Sequence, residues 1–113
     1  MFLPEQFKIW LSCDHADMRK AIDGLSLLVV ECLKKNPQDG DLFVFYNRKR
    51  DRLKILYWHY NGFMLVQKRL EKHSFKIPKD LNDLNEITQQ QLMRLVEGLH
   101  FFNKGENKYD IFF

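Results

Sequence analysis

The residues able to do chemistry in this chain are few and scattered. Cys13-Asp14-His15 is the one tight grouping of metal-ligating side chains, and His59, His73 and His100 stand apart from it. A metal site needs three or four donors in compatible geometry, which a single cluster of this kind does not supply, so no metal and no cofactor is expected. Asp14, Asp17 and Asp23 have the residue type that holds magnesium in phosphoryl-transfer enzymes. Asp14 and Asp17 are more simply helix-start residues, and Asp23 falls inside the helix beside Arg19 and Lys20, where it ion-pairs. No Gly-rich phosphate loop, nucleophile elbow or Ser or Cys nucleophile with a positioned base is present, and the expectation is a protein that is not an enzyme.

What the chain does carry is segregated charge. Its net charge is +3, yet residues 48–79 hold ten Lys or Arg against Asp51 and Glu71, a local +8, and the eight bases and thirteen acids elsewhere sum to −5. Arg48, Lys49, Arg50 and Arg52 form a run, followed by Lys54 and then Lys68 and Arg69. Such a run suits a solvated turn or a contact to a polyanion. Tyr57, Trp58, Tyr60 and Phe63 lie between the bases. Basic side chains neutralise phosphates while aromatic faces stack on bases, though the same aromatics suit a core equally well.

These groups must be positioned by one domain, since 113 residues suffice for a single core. Hydrophobic residues at 45% are enough to fold it. Two cysteines are too few for a disulfide scaffold, no signal peptide or membrane-length apolar run is evident, and a cytoplasmic protein is expected.

Phe7 to Leu11 alternates apolar and polar and predicts a short strand. Met18, Ile22, Leu25, Val29 and Cys32, at helical spacing behind the capping carboxylates Asp14 and Asp17, predict a first helix over roughly 17–35. Asn36 to Gly40 breaks it. Four β-type runs follow, 42–46, 53–60, 63–70 and 75–77. Asn61-Gly62 is a hairpin signal because both central positions of a type I′ turn need positive φ. Alternation puts Leu53, Ile55, Tyr57 and His59 on one face and Lys54, Leu56, Trp58 and Tyr60 on the other, neither plainly solvated. Such a sheet requires helices on both sides, a second subunit, or a bound partner.

Thr88 with Gln91 is a capping box, Ile87 and Leu92 a hydrophobic staple, and Leu92, Leu95, Val96 and Leu99 the buried stripe of a second helix over about 89–100. The fold expected is α+β, a single domain with an antiparallel β-meander, a preceding strand and two helices. Residues 1–102 make the domain and 103–113 a C-terminal extension whose Phe112 and Phe113 should dock on the body or on a partner.

The order and spacing of Asp17-Met18-Arg19-Lys20, Asp23-Gly24-Leu25, Leu42 to Phe45, Asp51 to Leu56 with Trp58, Gly62-Phe63 and Lys68 to Glu71 resemble a known family. It is the TnpB-type accessory protein, the second reading frame, of the IS-sixty-six insertion sequences. The match extends through Phe75 and Pro78 to Leu92 and Glu97 to Leu99. His59 stands where that family often has Asp, His73 where Gly is usual, and Ile77 where Trp commonly precedes the Pro. The resemblance implies a mobile-element protein that works beside a separate transposase and itself supplies no catalytic residue. On that basis the chain is expected to be a non-catalytic accessory factor for DNA transposition. Arg48, Lys49, Arg50, Arg52, Lys54, Lys68 and Arg69 would contact DNA, while Trp58, Tyr60, Phe112 and Phe113 would contact the transposase or a second copy in a homo-oligomer. No membrane contact is implied. The alternative is an interaction subunit whose bases face an acidic surface of the transposase, and a metal-dependent nuclease using Asp14, Asp17 or Asp23 is a third reading.

Overall fold

Residues 13–41 are long enough to carry the chain across one face of a sheet, and this crossover lets the first two strands run parallel. In the computed structural model, which describes residues 6–79, 81 and 84–101, β1 (Ile9–Ser12) leads into α1 (Ile22–Glu31) and returns as β2 (Leu42–Tyr46). There follow β3 (Arg52–His59), β4 (Gly62–Arg69), β5 (Leu84–Ile87) and α2 (Gln89–Val96). The five strands form one mixed sheet in the order β4-β3-β2-β1-β5, with β1 parallel to β2 and every other neighbouring pair antiparallel. The α+β class and the β2-β3-β4 meander are as the sequence predicts.

Burial follows from the alternation. Leu42, Val44, Tyr46, Leu53, Ile55 and Tyr57 face α2 and pack with Leu92 and Leu95. Phe43, Phe45 and Leu56 face the other way and pack with Leu25 and Val29 of α1. Each helix covers one face, so the sheet's central strands are buried on both sides without a second chain. Asp41 ties the starts of β1 and β2 together, accepting from the Lys8 backbone N–H at 2.9 Å and from Trp10 Nε1 at 3.0 Å.

Five expectations need correction. The first helix begins at Ile22, not near residue 17, and its N-cap position is Ala21, which makes no side-chain cap. Asp17 starts a separate turn, accepting from the Arg19 backbone N–H at 2.9 Å. Residues 75–77 bury Phe75 and Ile77 and expose Lys76 as a strand would, but they join no ladder. The Phe75 N–H goes instead to the Arg50 carbonyl and the Ile77 N–H to Phe75. The fifth strand is Leu84–Ile87, where the sequence carries a signal only at Ile87, as half of the hydrophobic staple.

The hairpin register is the fourth correction. His59 pairs with Gly62 and Trp58 with Phe63, so Tyr60 and Asn61 form the loop and Gly62 lies in the strand. Positive φ falls on Tyr60, at 60°, and the Asn61 N–H donates to the His59 carbonyl, closing a three-residue γ-turn. The second helix is capped as the sequence indicates, Thr88 accepting from the Gln91 N–H at 3.0 Å and Gln91 accepting from the Thr88 N–H at 2.8 Å. It ends at Val96, four residues short of the expected 100, because Gly98 at φ 82° and the bonds from Gly98 to Leu95 and Leu99 to Arg94 close a Schellman motif. Residues 103–113, and with them Phe112 and Phe113, lie outside the described residues.

Candidate nucleic-acid interface

The basic run is a turn built by one asparagine. Asn47 Oδ1 accepts from the backbone N–H groups of Asp51 and Arg52, both at 3.0 Å, and Nδ2 donates to Asp51 Oδ1 at 2.6 Å. That bond holds the Asp51 carboxyl below its usual value. The Arg50 N–H returns to the Asn47 carbonyl at 3.0 Å, and Arg50 takes φ 58°. Asn and Asp favour such side-chain-closed turns, so Asn47 and Asp51 were a readable signal that the charge run overshadowed.

The turn divides its four cations. Arg48, Lys49 and Arg52 line an open groove of about 540 Å³ on the α1 side, with His15, Asp17 and Met18 opposite. Arg50 leaves them for the α2 side, where its Cζ lies 5.5 Å from the centre of the Tyr46 ring. Tyr46 is anchored beneath it: the hydroxyl donates to the Cys13 carbonyl, and burial pushes its pKa up to about 12.

The β3–β4 ladder extends the α1-side cluster. Arg52 stands directly opposite Arg69 in the register, on the same face. Like charges so placed repel. Arg69 also meets Glu71, Nε to Oε2 at 3.0 Å, in a pair exposed on both sides. Beside the groove Arg19 forms a close pair with Asp17 at 2.6 Å, and hydrogen bonds from its side chain and then its backbone N–H hold the Asp17 carboxyl down at about 2.

Two expected DNA contacts have other work. Lys54 is 6% exposed, its ammonium donating to the carbonyls of Met18 at 2.8 Å and Lys20 at 2.7 Å, so it fastens the 17–20 turn over the sheet and is not available to a phosphate. Lys54 falls on the inward face of a central strand, and a run of sequence charge does not distinguish that position from its exposed neighbours. Lys68, on the α2 face, donates to the Val96 carbonyl at 2.7 Å and so complements the C-terminal end of α2. Of the aromatics, Trp58 packs edge-on against Phe63 with ring centres 5.0 Å apart, whereas Tyr60 at the hairpin tip is 87% exposed.

Among the described residues no three His, Cys, Asp or Glu side chains come together as a metal site, and no helix is long and apolar enough to cross a membrane. Cys32 is an exposed free thiol.

Comparison with known proteins identifies one family. Residues 7–106 match the family described as IS66 Orf2 like protein. The chain is 36% identical over 102 residues to a Sinorhizobium fredii (strain NBRC 101917 / NGR234) protein described as "Uncharacterized protein y4hO", covering 90% of this chain and 89% of that one. It is 33% identical over 92 residues to "Uncharacterized protein y4jC" of the same strain, covering 81% and 79%. No solved structure matches it. With residues 7–106 matched by the family model, and its meander, capped helix and basic turn lying within that span, the chain belongs to the IS66 Orf2-like TnpB family of transposition-associated accessory proteins.

Proposed function

We propose that this protein acts in transposition as a non-catalytic factor that holds DNA through the α1-side basic surface formed by Arg48, Lys49, Arg52 and Arg69. The observation that carries the reading is the Arg52–Arg69 pair. Two arginines occupy directly opposed positions of an antiparallel ladder, an arrangement that like charges disfavour. A phosphate backbone laid along that ladder relieves the repulsion and gains charge-assisted hydrogen bonds. The turn residues Arg48 and Lys49 are exposed next to it and reach a neighbouring phosphate without disturbing the core. The exposed Tyr60 at the far end of the same hairpin is free to meet the transposase.

The test is a salt titration of duplex binding for the parent and for the Arg48→Ala, Lys49→Ala, Arg52→Ala triple variant. Counterion release at roughly 0.9 per phosphate contact predicts that the triple variant flattens the slope of log affinity against log salt by about 2.7. Parent protein that does not bind DNA at low salt, or a variant that keeps the parent's slope, removes DNA from the proposal and leaves the subunit whose bases face an acidic surface of the transposase.

A further inference from the structure

On the α2 side of the same turn lies a second basic concavity, of about 430 Å³, lined by Arg50, Ser74, Phe75, Lys76, Lys79 and His100 among others, with no carboxylate among the described lining residues. Its floor is rigid. Arg50 is held at φ 58° by the Asn47 turn, its carbonyl receives the Phe75 N–H at 2.6 Å, and its guanidinium lies over the Tyr46 ring. Within that packing Arg50 Nε is shielded from solvent and has no hydrogen-bond partner among the described residues. Neither Arg50 nor Lys76 nor Lys79 takes part in an ion pair among the described residues.

We propose that this pocket binds a phosphate group. The Arg50 guanidinium in the lining offers planar, directional donors, and two flexible ammonium groups, Lys76 and Lys79, adapt to the remaining oxygens of a tetrahedral oxyanion. The apolar wall supplied by Phe75 excludes water from one side of the charge and so strengthens the attraction. The pocket faces away from the Arg48–Arg52 groove, and its occupancy is independent of whether that groove binds DNA. A free ion and a DNA end present the same phosphate chemistry to the pocket.

The experiment is a titration of the full-length protein with inorganic phosphate at ionic strength held constant with chloride, followed by backbone amide shifts. Saturable binding with shifts centred on Arg50, Phe75 and Lys76 is expected. Arg50→Gln should weaken it about tenfold or more, the loss of one charge-assisted bond. Because Arg50 also shapes its turn, the Lys76→Gln, Lys79→Gln double variant, altered only at exposed side chains, provides a second reading and should also weaken binding severalfold. Arg48→Ala with Lys49→Ala should leave it unchanged. The source is assigned by comparing 5′-phosphorylated and 5′-hydroxyl duplexes of one sequence. Tighter binding of the phosphorylated duplex that disappears in Arg50→Gln identifies a DNA end, and equal binding alongside saturable inorganic phosphate identifies the free ion. Absence of saturable phosphate binding, binding that survives both pocket variants, or an equal loss in the Arg48, Lys49 variant overturns the proposal.

Discussion

Lys54 and Arg52 are two residues apart on one strand and point to the same face, yet the sheet gives them opposite roles. Arg52 sits where the strand leaves the turn and lines the groove, whereas Lys54 is covered by the 17–20 turn and neutralises two inward-facing carbonyls. Lys54→Met should therefore cost about 2–3 kcal/mol in denaturant unfolding, since two carbonyls lose a charged donor, while leaving the salt slope of DNA binding unchanged. Asp17 gives a pH prediction. Its carboxyl is held at about 2 against an ordinary 3.8 by Arg19, so the charged form is favoured in the fold. The order it lends to the 17–20 turn is fully present above about pH 4 and is lost as pH falls through 2. Following the Asp17 carboxyl by NMR should show that midpoint, and Arg19→Ala should return it toward the ordinary value. His73 lies at φ 66°, where the resemblance marks Gly as usual. His73→Gly should raise stability by about 0.5–1 kcal/mol, read as a shift in the denaturant midpoint, because a Cβ at that φ is strained.

At the level of elements, Gly62 and Gly98 behave differently. Gly62 has ordinary strand backbone, and a Cβ built there meets nothing within 4 Å, so Gly62→Ala should be neutral or slightly stabilising. Gly98, at φ 82°, terminates α2, and Gly98→Ala should cost about 1–2 kcal/mol even though space is open around it. Thermal unfolding of the two variants side by side checks both. A type I′ turn at Asn61-Gly62 would reverse the first result. The tip offers a cleaner probe of function: Tyr60→Gly removes the exposed ring and relieves a positive φ together, so reduced capture of the transposase by that variant would report a lost contact and not a damaged fold.

Taken as a whole molecule, the sheet is closed on both faces by its own helices, which removes the reason the sequence offered for a second subunit over the central strands. The edge strand β4 is the exception, half-buried along its first five residues and exposed at Gln67, Lys68 and Arg69. Stability and proposed function should separate there. Arg69→Thr removes the like-charge opposition to Arg52 and loses only an exposed ion pair, so the folded state should be unchanged or firmer by up to about 0.5 kcal/mol. DNA binding by the same variant should weaken, measured on one duplex at low salt.

The sequence by itself determined what local chemistry decides. Thr88 and Gln91 specified a helix start because a capping box closes within four residues, and the alternation of residues 53–60 specified two buried faces because a strand has period two. The concentration of charge in residues 48–79 was legible for the same reason, since it is a property of composition. Tertiary structure decided what depends on distant partners. Leu84–Ile87 became a strand only because the edge of β1 was open to it, and Phe75 to Ile77 did not because the Phe75 N–H found the Arg50 carbonyl instead. The turn sent Arg48, Lys49 and Arg52 to one side of the sheet and Arg50 to the other, and burial turned Lys54 into a structural cation. A run of charges carries no information about sides. Only the pleat, the left-handed backbone at Arg50 and the helix packed on each face assign them.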